Sequence, residues 1–440
     1  MKSILLNFIS ELRASYWYIP LLMSIVALLL SILTLRLDYL YVWHWLEKLG
    51  WYHANNTEGA KAILSTIASS MITVAGVTFS MTIVAVAFAG SQVGPRLTSN
   101  FMRDRANQIT LGTFIATFLY CLFILLALFN ANKNGVAESN ELILIPQISL
   151  LTAIFLTISS IIVLIYFIHH IPESINISNI IARVAKELNH QIDYQFPINI
   201  GKELSTTSTF TAPFNQLITS IHATKPGYIR ILDGNTLIDI AKKHDLIIQL
   251  EVNVGAYLTE GSILLSIYSS KHIEDSIKKQ CVSTFAVGDK RNQEQDILFL
   301  VDEMIEIIAR ALSPGINDPF TAMTCLDWLQ SSLHKISNMQ PPSPYRYDED
   351  DKLRFIAKPI TFSNFCELIF CRVQPYVCRD RNTALHMMNM IVSLHSDNAN
   401  HEHQLVLVSH AISLKNAAVE CLATDDDRKK IISQFELHFT

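Results

Sequence analysis

The first half of the chain is built from long apolar runs separated by short polar ones. Four of them, near Trp17–Leu37, Leu64–Ala89, Ile109–Asn130 and Pro146–Ile168, each hold about 20 residues, enough to cross a hydrocarbon layer of about 30 Å. In lipid such runs must be helices, because no water is present to satisfy the backbone. The first is too long for the core of a cleavable leader and no small-residue cleavage site follows it, so it reads as a retained span.

The texture changes after the fourth run. From about Ile171 to Gln195 the apolar period is helical and amphipathic, with Arg183, Lys186 and Glu187 on polar positions, which predicts a connecting helix. The polar stretch GKELSTTSTFTAPFNQ marks a boundary. Short alternating runs with turn glycines at Gly227, Gly255 and Gly261 then predict β structure, interrupted by a helix-like insert, LIDIAKKHD. From about His272 the helical period returns. Ile297, Leu298, Val301, Met304, Ile305, Ile308 and Leu312 form a core-facing stripe. The expected organisation is an N-terminal segment (1–15), four membrane helices (16–170), a connecting helix and linker (171–200), a small β module (201–272) and a mainly helical domain (273–440). The fold class is therefore a membrane protein with four transmembrane α-helices plus a cytoplasmic α+β region.

Composition agrees. Half of the residues are hydrophobic and 17% are charged, below the usual quarter for soluble domains. A net charge of −5 gives no case for nucleic acid. Seven cysteines in no framework spacing suit free thiols in a reducing compartment. Cys366, Cys371 and Cys378 lack zinc-knuckle spacing, and His395, His401 and His403 fall in a polar stretch expected to be a loop. No metal or cofactor is expected. Lys2 and Arg13 precede the first span, and Arg96, Arg103 and Arg105 lie between the second and third. The other two loops carry Lys48, Lys61 and Lys133 among several acids. The positive-inside rule then places both termini, the basic loop and everything after about His169 in the cytoplasm. Tyr39, Tyr41, Trp43, Trp45, Trp51 and Tyr52 become an aromatic belt at the outer surface.

The second span is the informative one. Ser65, Thr66, Ser69, Thr73, Gly76, Ser80, Ala87 and Ser91 lie within about 60° of a common direction at 100° per residue. Such a face serves close helix packing, or it lines a hydrated path, with Ser69, Thr73, Gly76 and Ser80 as the candidate lining. Gly94–Pro95 ends the helix. The basic loop after it anchors the topology on anionic headgroups, or forms an anion or lipid site from Gln92, Arg96, Arg103, Asp104, Arg105, Asn107 and Gln108. His169 and His170 close the fourth span at the inner boundary, as interfacial polar residues or a pH-responsive element.

The stretch ALSPGINDPFTA, residues 311–322, breaks two helix-like runs. Pro314 and Gly315 stop the first. Asp318 is placed to cap the second, with Pro319 at its first position, where a missing N–H is harmless. Ser313, Gly315, Asn317 and Asp318 remain a candidate loop site for an anion or a subunit. Met339–Asp351, proline-rich and acidic, is expected to be an exposed loop.

VNVGAYLTEGSILLSI is similar to the glycine-spaced pattern of biotinyl/lipoyl barrel-sandwich domains, but no lysine sits in the hairpin that would carry the prosthetic group. A structural or docking module is expected there. Three longer stretches carry a wider likeness: SSMITVAGVTFSMTIVAVAFAGSQVGPRL, NFMRDRANQITLGTFIATFLYCL and ARALSPGINDPFTA. In order, and over nearly the whole chain, they resemble the bacterial predicted membrane proteins grouped as domain of unknown function 2254. The residues that carry the likeness are Gln92, Gly94, Pro95, Arg96, Arg103, Asp104, Arg105, Asn107, Gln108 and the 313–319 loop. The resemblance implies a bacterial inner-membrane protein with four spans and a large cytoplasmic domain. It supplies no activity, substrate or catalytic residue.

The chain has no Walker loop, nucleotide fingerprint, nucleophile elbow or H-E-x-x-H motif. Three functions stay open: an oligomeric channel- or transport-like protein with a regulatory cytoplasmic domain; a membrane-anchored sensor or scaffold for a cytoplasmic protein or small anion; and a membrane enzyme acting on a lipid or anionic metabolite, in which Asp104, His169 and His170 converge. Expected partners are membrane lipids and further copies of the chain.

Overall fold

The structure, a computed structural model, describes residues 15–40, 57–94, 104–133, 146–194, 196–204 and 217–439. The chain divides into two compact units, one built on the four long helices and the other made mainly of the chain from Ile177 onward.

In the first unit the helices are α1 (Tyr18–Leu40), α2 (Thr57–Val93), α3 (Arg105–Lys133) and α4 (Gln147–Ile175). All four are long and apolar enough to cross a membrane. Of the expected aromatic belt only Tyr39 lies among the described residues, where it is exposed. Lipid offers no hydrophobic force between helices, so small residues and hydroxyl pairs do the joining. Ala27 and Ala153 let α1 and α4 pack closely around Tyr120, Cys121 and Ile124 of α3, and Ala68 of α2 joins the same cluster. Tyr120 Oη lies 2.9 Å from Thr34 Oγ1 and donates to the Ser149 carbonyl at 3.1 Å. Thr117 and Ser160 pair at 3.1 Å.

The end of α1 holds the start of α4. Pro146 offers that helix no side-chain cap. Asp38 supplies one instead: its carboxylate accepts from the N–H groups of Ile148 (2.8 Å) and Ser149 (3.0 Å) and from Ser149 Oγ (2.6 Å). A carboxylate satisfies orphan N–H groups and complements the positive end of the helix dipole.

The second unit opens with α5 (Ile177–Asp193), whose buried residues Ile180, Ile181, Val184, Ala185, Leu188 and Ile192 fall on one face. Two sheets follow. The five-stranded sheet runs β1 (Leu217–His222), β5 (Ile263–Ser269), β3 (Ile247–Leu250), β8 (Leu353–Ile356), β7 (Tyr345–Tyr347). All its pairs are antiparallel except β3–β8, with Ile248 opposite Phe355. The three-stranded sheet runs β4 (Tyr257–Leu258), β2 (Gly227–Leu232), β6 (Phe285–Gly288). With α6 (Gly234–His244) and α7 (Asp275–Ser283) they close on Ile229, Leu237, Ile248, Leu265, Ile267 and Phe355. The β module thus draws β6, β7 and β8 from beyond residue 272, within the part expected to be mainly helical.

Helices α8 (Ile297–Ala311) and α9 (Pro319–Ser337) leave the sheets between β6 and β7 and pack on α5. Burial on α8 reaches Phe299, Asp302, Glu303 and Ile307, well beyond the expected stripe. Helix α10 (Phe362–Cys366) runs through a single π turn, Glu367–Cys371, into α11 (Arg372–Val377). Then come α12 (Arg381–Ser396), α13 (His401–Cys421) and α14 (Asp425–Phe439).

Two expected loops are structured. Within Met339–Asp351, β7 buries Arg346, which donates to the Ile200 carbonyl at 2.6 Å and to Glu203 at 2.9 Å. Asp348 is buried against Arg354 at 2.7 Å. The polar stretch at His401–His403 begins α13, capped by Asn400, which accepts from the Glu402 N–H at 2.9 Å.

Candidate functional site

Helix α2 packs through Leu64, Ala68, Met71 and Ala75, its contacts including Phe114 and Tyr120 of α3. Thr78 and Thr82 are buried further along. Ser65, Thr66, Ser69, Thr73, Gly76, Ser80, Ala87 and Ser91 are all exposed. The small and hydroxyl-bearing face therefore does not pack within the chain's own helices; it points out of them. Three of its hydroxyls donate back along the helix: Thr66 to the Ala62 carbonyl at 2.8 Å, Thr73 to the Ser69 carbonyl at 2.7 Å and Ser91 to the Phe88 carbonyl at 2.7 Å. Beside Gly76 there is open space. Apolar residues flank the face, Val77 and Val84 among them.

At the start of α3 a second group converges. Asp104 Oδ1 caps the helix by accepting from the Ala106 N–H at 2.9 Å, and Oδ2 lies 2.7 Å from His170 Nε2 on α4. Tyr166 stacks on the His170 ring at 5.3 Å. One turn along, Asn107 and Gln108 are buried, Asn107 to 2% exposure with its Oδ1 unpartnered. Arg105 is exposed. Arg96, Arg103 and the Gln92 side chain lie outside the described residues. His169 turns away from this group and meets Glu173 at 3.4 Å, both exposed. Of the expected membrane-surface set, Asp104, Asn107 and Gln108 thus lie together at the start of α3. The Asp104–His170 pair, 66 residues apart, is the chemistry that joins two spans.

In the second unit the 313–318 loop is a closed turn. Asp318 caps α9, accepting from Thr321 N at 3.1 Å and Thr321 Oγ1 at 2.6 Å, with Pro319 first in the helix. The N–H groups of Ile316 and Asn317 donate to the Ser313 carbonyl, and that of Asp318 to the Ala311 carbonyl. Ser313 Oγ donates to the Arg310 carbonyl at 2.6 Å. Asn317 takes a left-handed φ of 53°. The chain's own carboxylate already stands where an anion would bind, and these loop amides are spent on the turn. Gly315 is exposed with open space around it, and so are two apolar side chains, Ile316 and Phe320, the latter to 71%.

A cleft of about 580 Å³ opens beside α5, lined by Glu187, His190, Tyr194, Asp233, Asn235 and Glu294, among others. Its lining has three carboxylates and no lysine or arginine. Gln191 bridges Glu187 and the Gln293 carbonyl at 2.8 Å each, and Gln295 accepts from the Leu232 N–H at 2.8 Å. Nothing in the sequence pattern pointed to this cleft, because α5, the β2–α6 turn and residues 294–297 meet only in three dimensions. Among the described residues no group of three His, Cys, Asp or Glu side chains is arranged to hold a metal.

Four membrane-length helices followed by a mixed α+β unit define a multi-pass membrane protein with a substantial extramembrane part. The chain belongs to the family described as predicted membrane protein (DUF2254), which matches residues 13–393. It is similar to the uncharacterized protein Rv1290c of Mycobacterium tuberculosis strain H37Rv and the uncharacterized protein Mb1321c of Mycobacterium bovis. Each is 24% identical over 377 residues, covering 85% of this chain and 71% of the relative. No solved structure matches it.

Proposed function

We propose that the protein works as an oligomer in the bacterial inner membrane, both termini cytoplasmic, with the hydroxyl face of α2 in each copy turned toward the others. That face lines a passive path for small polar solutes or ions, and the C-terminal unit regulates it. The observation that carries this reading is the outward direction of Ser69, Thr73, Gly76 and Ser80. A monomer in lipid has no use for a continuous small and polar face there. The middle turns of all four spans carry no Asp, Glu, Lys, Arg or His, which favours a passive path over ion-coupled transport.

Single-particle imaging in lipid nanodiscs, with solute flux in proteoliposomes, tests this. The expected result is a symmetric assembly with Ser69, Thr73 and Ser80 facing its axis. A monomer with that face against lipid, and no flux, overturns it.

One observation favours a second reading, a membrane-anchored scaffold: Ile316 within the 313–318 turn and Phe320 just after it are both exposed and suit docking of a cytoplasmic protein. Loss of a co-purifying partner on Phe320→Ser, with assembly and flux unaffected, would support the scaffold.

A further inference from the structure

The two cysteines at the ends of α11 and α13 lie in contact. Cys378 follows the last residue of α11 and is buried to 3% exposure; Cys421 is the last residue of α13 and is exposed. Their Sγ atoms are 3.1 Å apart, and both are free thiols. A disulfide bond is about 2.05 Å long, so about 1 Å of side-chain movement separates this pair from a bond. The other cysteines are differently placed. Cys121, Cys281, Cys325 and Cys366 are buried, and Cys371 is exposed.

We propose that Cys378 and Cys421 are an oxidation site, a dithiol that closes reversibly into a disulfide and clasps α11 to α13. The oxidant is a hydroperoxide. The exposed Cys421 meets it first: its sulfur attacks the O–O bond, becomes a sulfenic acid and releases water or an alcohol. The Cys378 sulfur then attacks the Cys421 sulfur, the S–S bond forms and the sulfenic oxygen leaves as water, carrying the Cys378 proton. A dithiol reductant returns both thiols. Contact is what makes the second step fast. Burial, reinforced by the neighbouring Cys421 thiol, pushes the Cys378 thiol up, so Cys378 is a poor target for free oxidant and serves as the resolving partner. The bridge would close a 43-residue separation and fix the end of α13 against α11. The pair reaches beyond the family match, which ends at residue 393.

The test uses the full-length protein in detergent. It is titrated with hydrogen peroxide, alkylated with iodoacetamide and digested without reductant for mass spectrometry. The expected product is a peptide linking Cys378 to Cys421, formed before any link through the exposed Cys371 and reversed by dithiothreitol. Hydrogen exchange at the end of α13 should slow on oxidation and recover on reduction. In Cys421→Ser the link disappears and Cys378 stays a thiol at the same peroxide dose. If peroxide instead carries Cys421 to the sulfinic acid while Cys378 remains alkylatable, or if Cys421 pairs only with another copy, the proposal is wrong. The wild-type measurement decides this even if the variant fails to fold.

Discussion

Gly76 and Ala75 are adjacent in α2, and the structure gives them opposite surroundings. Ala75 is buried in the cluster with Met71 and Phe114. Gly76 is exposed, with nothing within 4 Å of where a Cβ would stand. Ala75→Leu forces a branched side chain into a filled interface, and overpacking of this kind costs about 1–3 kcal/mol. Gly76→Leu meets no neighbour in the same chain and replaces the residue that disfavours helix most after proline, a gain of up to about 1 kcal/mol. The isolated protomer should therefore lose stability in the first variant and keep or gain it in the second. Assembly should respond in the opposite sense. If copies meet along the small face, a leucine at 76 overpacks that contact by a similar 1–3 kcal/mol or so, weakening each contact about 5- to 150-fold.

Two readouts separate these effects. Protomer stability is followed by denaturation in sodium dodecyl sulfate from mixed micelles, and assembly by light scattering on size-exclusion chromatography, with flux in proteoliposomes. Gly76→Leu should leave the denaturation midpoint at or above wild type while dissolving the assembly and its flux. A Gly76→Leu protein that assembles and conducts like wild type would falsify the interface. A neutral Ala75→Leu would mean that the inward and outward faces of α2 have been assigned the wrong way round.

The junction of α1 and α4 predicts a ranking: Asp38→Ala strands three donors and should cost about 2–4 kcal/mol, Asp38→Asn less and Ser149→Ala least, read as denaturation midpoints; an Asp38→Asn protein as stable as wild type beside a more damaged Ser149→Ala would refute it. Asp318→Ala should destabilise the second unit by about 0.5–2 kcal/mol through loss of the α9 cap, and wild-type protein should show no phosphate-dependent shift in melting temperature, since Asp318 fills that position; a saturable phosphate shift would revive the loop as an anion site. His410 packs against Phe370, and burial holds its pKa below the ordinary value although Glu367 opposes this. The unfolded chain then binds more protons than the folded one below about pH 6.5, so the histidine's contribution is complete above that pH and declines as pH falls toward the folded value. His410→Gln should flatten the acid side of the melting-temperature profile; an unchanged slope would count against this histidine as its source.

What the sequence disclosed followed from local rules. Span length, the amphipathic period of α5, and the Asp318–Pro319 start of α9 each depend on neighbours within a few turns, and each is present in the structure. What stayed hidden depended on partners far along the chain. Proline and acid content made residues 339–351 look solvent-exposed, yet Arg346 in β7 finds the Ile200 carbonyl and Asp348 just after it finds Arg354, so both are buried. Asp38 looked like one acid among several at a helix end; its partners are 110 and 111 residues away. The convergence of Asp104 with His170 could be raised as a question from their shared membrane boundary. Only the packing of α3 on α4 answers it, and answers it for one histidine of the two.

For α2 the period fixed a face and left its direction open, and the direction changes what has to be explained. The exposed hydroxyls of Thr66 and Thr73 already bond to carbonyls one turn back, so their contact with lipid is inexpensive and polarity alone does not demand a partner. Size is harder to account for. A lipid-facing helix gains nothing from glycine and serine at 69, 76 and 80, where leucine or isoleucine would serve lipid contact equally well and stabilise the helix more. Small residues in a row pay off where another backbone approaches closely, which is the geometry of helix–helix contact in membranes. A dry contact would satisfy that requirement without any path. Hydroxyl oxygens that donate along the helix still keep lone pairs free to accept from water, and an alanine face would pack as closely without them. The combination of small size with retained acceptors is therefore what separates a lined path from a mere seam. Replacing Ser69, Thr73 and Ser80 together by Ala, Val and Ala should keep the assembly while reducing flux; equal flux would leave packing as the whole role of this face.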